Sequence, residues 1–179
     1  MYKYINSNEI NLNVHSKISL KIKGIGENTI LGNGPDYYFN GINFLKKVYI
    51  NNIQQNTIEY KYKFTETDNF VELIWEDNLN SCEYILYRCT EITAINLSNF
   101  NTLHAVKMNS MFNYCSSLIS LDLSTFNTPK VSFMNSMFFS CKNLEYININ
   151  NFDKENLSSN NALIFLSLSI FKLYIPVSK

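Results

Sequence analysis

The chain has 179 residues, 46% of them hydrophobic and 15% aromatic, which is enough apolar material to bury a substantial core and too much for a disordered chain. Fifteen Lys plus Arg balance fifteen Asp plus Glu, so the formal net charge is zero. Without a dense basic face, nucleic acid and anionic membrane surfaces are disfavoured as partners.

Residues 1–6 lack the continuous apolar stretch of a secretory signal. Further on, Ile18, Leu20 and Ile22 alternate with Lys17, Ser19, Lys21 and Lys23, while Ile58, Tyr60, Tyr62 and Phe64 alternate with Glu59, Lys61 and Lys63. Period-two alternation of this kind predicts two half-buried strands. Between them, Val48-Tyr49-Ile50 followed by Asn51-Asn52 predicts a hairpin. Gly24-Ile25-Gly26 has no third glycine three positions later, so it reads as a turn and not as a dinucleotide fingerprint. Residues 1–67 are therefore expected to form a small β-rich antiparallel unit that caps the remainder of the chain.

From Cys89 onward the sequence repeats every 26 positions. Cys89, Cys115 and Cys141 form one column, Ile92, Leu118 and Leu144 a second, and Ile95, Leu121 and Ile147 a third. Leu97, Leu123 and Ile149 make a fourth column and Phe100, Phe126 and Phe152 a fifth. Columns in register at such a period signal stacked coils that bury one another's apolar edges. Leu121-Asp122-Leu123 and its counterparts read as short strands that stack into a parallel sheet. Asn127-Thr128-Pro129 then predicts a helix start. Val131, Met134, Met137, Phe138 and Cys141 form one apolar stripe after it. The expected fold class is an α/β solenoid, a short horseshoe with a parallel sheet on one side and helices on the other. Residues 68–159 would hold an opening coil and about three further coils, with a degenerate last repeat or tail at 160–179.

The cysteines occupy core columns, and Cys82 lies on the same predicted helical face as Cys89. No two are spaced as a close pair, so buried free thiols are the default, with bridges between neighbouring coils the alternative, and neither a zinc site nor another metal or cofactor is implied. His104 falls in a turn column and His15 in the first segment, and neither has a nucleophile implied beside it, so no catalytic set is expected. Asn101, Asn127 and Asp153 come directly after the Phe column and read as groups that bond the turn backbone of a neighbouring coil.

Leu-Asp-Leu-Ser-Thr-Phe-Asn-Thr at 121–128, with Val131, Met134, Met137-Phe138 and Cys141 after it, resembles the repeat of the BspA-like leucine-rich-repeat surface proteins of bacteria and protists. The resemblance covers residues 89–145. Leu73-Ile74-Trp75-Glu76-Asp77 through Cys82 and Cys89 is similar to that family's opening coil. The resemblance implies display at a cell surface or secretion, adhesion and protein binding, with no assigned chemistry.

The outward positions Asn96, Ser98, Ser120, Asp122, Ser124, Tyr146, Asn148 and Asn150 form the candidate binding face, on the concave side of the expected sheet. It is polar and lacks several aromatic or arginine anchors. Asn96-Leu97-Ser98 and Asn156-Leu157-Ser158 are glycosylation sequons, meaningful in a secreted protein. The apolar run at 162–177 is shorter than the ~20 residues of a span and reads as a decayed last coil, a truncated anchor being the alternative. An apolar edge near Leu163, Ile164, Leu166 and Phe171 would favour self-association. Two functions are implied: a non-enzymatic interaction module for a protein or glycan, or a degenerate copy with only a structural role and no ligand.

Overall fold

Alternating lysines and aliphatics make β1 (Ser16–Lys23) two-faced, and Ile18, Leu20 and Ile22 are buried. The computed structural model describes residues 16–34, 44–75, 79–152 and the backbone of 173–174. After β1 come β2 (Gly26–Thr29), β3 (Leu45–Ile50), β4 (Ile53–Gln54), β5 (Lys61–Phe64), β6 (Asp68–Trp75) and β7 (Ile92–Asn96). The chain continues with the short strands β8 (Ser120–Asp122), β9 (Tyr146–Asn148) and β10 (Leu173–Tyr174). β1 runs antiparallel to β6 on one side, from Ser16 opposite Trp75 to Lys23 opposite Asp68, and antiparallel to β7 on the other. The five-stranded sheet has the order β4-β3-β6-β1-β7. Asn51 and Asn52, with φ of 49° and 67°, make the two-residue turn between β3 and β4. Asparagine tolerates that left-handed geometry, and the resulting turn matches the twist of the strands it joins. β2 and β5 form a separate two-stranded pair.

This architecture overturns the expected α/β solenoid. No α-helix occurs among the described residues, and the largest sheet is antiparallel throughout. Leu73, Ile74 and Trp75, expected in an opening coil, end β6, the middle strand of that sheet. The predicted helices fail for a reason visible in the backbone. Tyr84 and Arg88, Ser110 and Tyr114, and Ser136 and Ser140 all have φ between 54° and 63°. A left-handed residue every four positions is incompatible with an α-helix.

The N–H groups of these stretches also point elsewhere. Cys82, Tyr84, Leu86 and Arg88 donate to the carbonyls of Lys107, Asn109, Met111 and Asn113, at 2.8–3.1 Å. Met108, Ser110, Phe112 and Tyr114 donate in the same way to Phe133, Asn135, Met137 and Phe139. Backbone groups that a helix would satisfy internally are thus satisfied by the next copy, and parallel bridges join Ser81, Lys107 and Phe133. Met111, Phe112 and Cys115, like Met137, Phe138 and Cys141, are buried at the intervals a helical stripe would show. β8, β9 and β10 pair in parallel in the order β10-β9-β8.

Between copies the core is a set of stacked rings. Phe126 lies 6.1 Å from Phe100 and 5.9 Å from Phe152, centroid to centroid, and Trp75 meets Phe100 edge-on at 5.6 Å. Phe112 and Phe138 stack at 5.7 Å. Polar links run alongside. Thr102 Oγ1 donates to Asn127 O at 3.0 Å and accepts the Asn127 N–H at 2.9 Å, so the segment expected to start a helix is instead tied to the preceding copy. Buried Glu83 accepts from Asn109 Nδ2 at 2.7 Å, and Asn109 Oδ1 accepts the Asn135 N–H at 2.7 Å. The Glu83 carboxylate also accepts from Ser81 Oγ at 3.2 Å and has Lys107 Nζ at 3.9 Å, which meets the requirement that a buried charge be bonded and paired.

All four cysteines are free and buried. Cys115 Sγ donates to Leu86 O at 3.2 Å and Cys141 Sγ to Phe112 O at 3.0 Å. Burial pushes the Cys82 and Cys141 thiols up to about 12 and raises Cys89 and Cys115 as well. At neutral pH they are protonated and poorly nucleophilic. Because the folded values lie above those of the unfolded chain, their stabilising contribution is complete below the unfolded thiol range and is lost as pH climbs through the folded values. For Cys82 and Cys141 that loss should run on the order of 1 kcal/mol per pH unit between about pH 9 and 12. Urea titrations across that window should show stability falling steeply, and a Cys89→Ala variant should show a shallower fall. Ellman reagent should find four thiols in denaturant and almost none in the folded protein.

Candidate functional site

Ser120 pairs with Tyr146 and Asp122 with Asn148 across β8 and β9. Asn96, Ser98, Asp122 and Ser124 border one hollow of about 160 Å³, together with Ile95, Leu97 and Thr125. Three of the eight residues of the candidate face are turned inward on their own chain. Asn96 Oδ1 accepts the Ser98 N–H at 2.9 Å, Asp122 Oδ1 the Ser124 N–H at 2.9 Å, and Asn148 Oδ1 the Asn150 N–H at 3.2 Å. Each closes an Asx turn at the end of its strand, so one acceptor of every side chain in this column is committed to the backbone. Asp122→Ala, which a surface position alone would make nearly neutral, should therefore cost about 0.5–1.5 kcal/mol. Asp122→Asn should cost less, and equal losses in chemical denaturation would refute the turn-closing role.

A second surface lies on the turn side, where helices were expected. Tyr84 meets Tyr87 edge-on at 5.4 Å, Tyr87 meets Tyr114 at 6.3 Å, and Tyr114 meets Phe139 at 5.7 Å, a ridge of four rings. Arg88, the only arginine in the chain, sets its guanidinium 5.2 Å from the centre of Tyr87 and 5.5 Å from that of Tyr114. Arg88 is exposed, the three tyrosines are half-buried, and Phe139 is 36% exposed. The cause is local: Arg88 and Tyr114 occupy equivalent left-handed positions in successive copies, and the 26-residue stacking places one above the other. Such cation–π contacts contribute about 0.5–1 kcal/mol at exposed sites. They also hold the guanidinium in one orientation.

Beside the ridge is an open depression of about 650 Å³ lined by Glu27, Thr29, Asn33, Glu59, Tyr60, Lys61, Tyr87 and Arg88. Its walls come from β2, β5, the stretch between them and the first turn series of the repeats. Residues 30–34 are pinned there, with the Ile30 N–H donating to Tyr60 O at 2.9 Å and the Gly32 N–H to Ile85 O at 2.6 Å. Lys61 Nζ lies 3.4 Å from Glu27 Oε2.

Sequence reasoning missed both the ridge and the depression, because the spacing of Cys82 and Cys89 suggests a helix between them and only Cys89 of residues 83–89 falls in a repeat column. The signal was there in the adjacent Tyr87-Arg88 and in Tyr114, one repeat on from the sole arginine. His104 is half-buried in a turn, and His15, the second sequon, Leu163, Ile164, Leu166 and Phe171 lie outside the described residues. No cluster of metal-ligating side chains is found among the described residues.

Residues 80–173 match the family described as "Mycoplasma protein of unknown function, DUF285". The chain belongs to that family. The match runs from the first turn series to the start of β10, and it replaces the BspA-like leucine-rich-repeat assignment, since the matching family's description names no leucine-rich repeat. The spacing of Leu, Phe, Met and Cys that resembled leucine-rich repeats is thus carried, among the described residues, by copies without an α-helix. No curated protein and no solved structure matches the chain.

Proposed function

We propose that this protein is a non-enzymatic interaction module that attaches to a protein or glycan at a cell surface, using the ridge of Tyr84, Tyr87, Arg88, Tyr114 and Phe139. The observation that carries the reading is the stacking of the single arginine between two tyrosines on an exposed edge. Tyr and Arg are the residues on which binding energy concentrates, and rings already held by neighbours lose little freedom on binding. Protonated, buried thiols and a buried, fully bonded Glu83 support a role without catalysis. The zero net charge supports partners other than nucleic acid. The surface placement rests on the association of this family with surface proteins.

The turn-closing roles of Asn96, Asp122 and Asn148 favour the alternative for the strand face alone, namely that it is structural and recognises nothing. Fluorescently labelled protein titrated onto intact bacterial and eukaryotic cells tests the proposal. Saturable binding should fall by about tenfold or more, roughly 1.4 kcal/mol, when Tyr114→Asn is combined with Phe139→Ser. It should survive Asp122→Ala. Loss with Asp122→Ala and not with the ridge variant would move the site to the strand face, and absence of binding to every surface would leave only the structural copy.

A further inference from the structure

The depression beside the ridge has a composition that selects its own ligand class. Among the described residues, its charged lining is two carboxylates, Glu27 and Glu59, and two cations, Lys61 and Arg88. One of each is already joined in the Glu27–Lys61 pair at 3.4 Å. An anion entering would face Glu59 and a cation would face Arg88, so neither gains a net field. What the walls do offer is acceptor-only carboxylates and donor-only cations in equal number, with the amide of Asn33 and the hydroxyl of Thr29 supplying both. The complementary ligand is uncharged and carries many groups that donate and accept at once, which describes hydroxyls.

The apolar part of the wall agrees. Tyr60 and Tyr87 line the same depression, Tyr60 packed against the hydrophobic core and Tyr87 held by Tyr84 and by the Arg88 guanidinium. Rings fixed in this way offer flat apolar area at small entropic cost. A pyranose presents hydroxyls at its rim and C–H groups on its faces, and a volume of about 650 Å³ lies in the range of small-ligand sites. The pinning of residues 30–34 through Gly32 and Ile30 puts one wall on fixed backbone.

We infer that this depression binds a neutral saccharide, about a disaccharide in size. The inference deepens the attachment reading above and rests on it, by naming what the module holds next to its ridge. Calorimetry and saturation-transfer NMR with maltose, lactose, cellobiose and N,N′-diacetylchitobiose test it, with sialyllactose as the anionic comparison. At least one neutral disaccharide should bind with a Kd of about 1 mM or tighter, and sialyllactose should bind more weakly. Glu59→Gln, an isosteric change at an exposed position, should weaken binding about threefold or more, and Tyr60→Ala about tenfold or more. Thermal unfolding of each variant separates lost binding from lost fold, and Glu59→Gln carries the test if Tyr60→Ala unfolds.

Failure of all four neutral sugars to bind at about 20 mM would overturn the inference, as would tighter binding of the anionic sugar or indifference to Glu59→Gln. The two readings fail separately. Cell attachment that depends on Tyr114 and Phe139, in a protein that takes no sugar, removes the saccharide site and leaves the module. Sugar binding without cell attachment does the reverse.

Discussion

Phe126→Ala should lower stability by ~3–5 kcal/mol, measured by urea denaturation at neutral pH. The ring is 1% exposed and lies between Phe100 and Phe152, at 6.1 and 5.9 Å, so truncation opens a cavity bounded by rings from two other copies. Phe100 cannot close it without leaving Trp75, which holds it edge-on. Phe139→Ala, at a ring 36% exposed, provides the comparison and should cost well under half as much. Equal losses for the two rings would mean that the Phe column does not carry the core. Phe126→Leu should recover part of the loss by refilling the cavity.

The second large effect is expected at Gly32→Ala, a change that adds one methyl group. A Cβ at that position would fall on the Tyr84 carbonyl oxygen and 2.5 Å from the Tyr87 nitrogen. Both obstacles are backbone atoms of the first turn series. The Gly32 N–H bonds Ile85 O in the same place, so the two segments cannot separate without losing that bond. Overpacking against movable side chains costs about 1–3 kcal/mol, and here the loss should reach or exceed the top of that range. Unfolding should show the drop, and limited proteolysis should cut near residues 30–34 in the variant before it cuts the wild type. Gly34→Ala meets the Tyr84 ring at 2.9 Å, a side chain able to shift, and should be milder. A Gly32→Ala protein as stable as the wild type would show that residues 30–34 do not dock on the repeats, and the depression they wall would lose its shape.

Much of the inside-outside pattern was legible in the chain. The alternation of Ile18, Leu20 and Ile22 specified β1 and its buried face, Asn51-Asn52 specified a two-residue hairpin turn, and the Phe, Leu and Cys columns specified which side chains are buried. These succeed because each depends on neighbours in sequence: period two for a strand, tolerance of positive φ for a turn, and burial of apolar side chains wherever a core exists. The spacing of 26 is likewise the offset at which Asn109 bonds Glu83 and the Asn135 N–H bonds Asn109.

What the chain could not reveal was where its backbone hydrogen bonds go. Met111, Phe112 and Cys115 are spaced alike whether they line a helix or a series of left-handed turns, so the apolar pattern is degenerate between the two. The choice is made by partners a full repeat away, such as Asn135 O for the Ser110 N–H and Phe139 O for the Tyr114 N–H, which exist only once the copies are stacked. That choice turned the expected helical side into the exposed ridge of Arg88 and its tyrosines, and the strand ends of Asn96, Asp122 and Asn148 into closed turns. The sequence alone determined the repeat spacing, the buried columns, the hairpin turn and the charge balance. Tertiary structure decided the absence of α-helix among the described residues, the pairing of β1 with β7 and the location of the candidate site, because each depends on pairings between residues far apart in the chain.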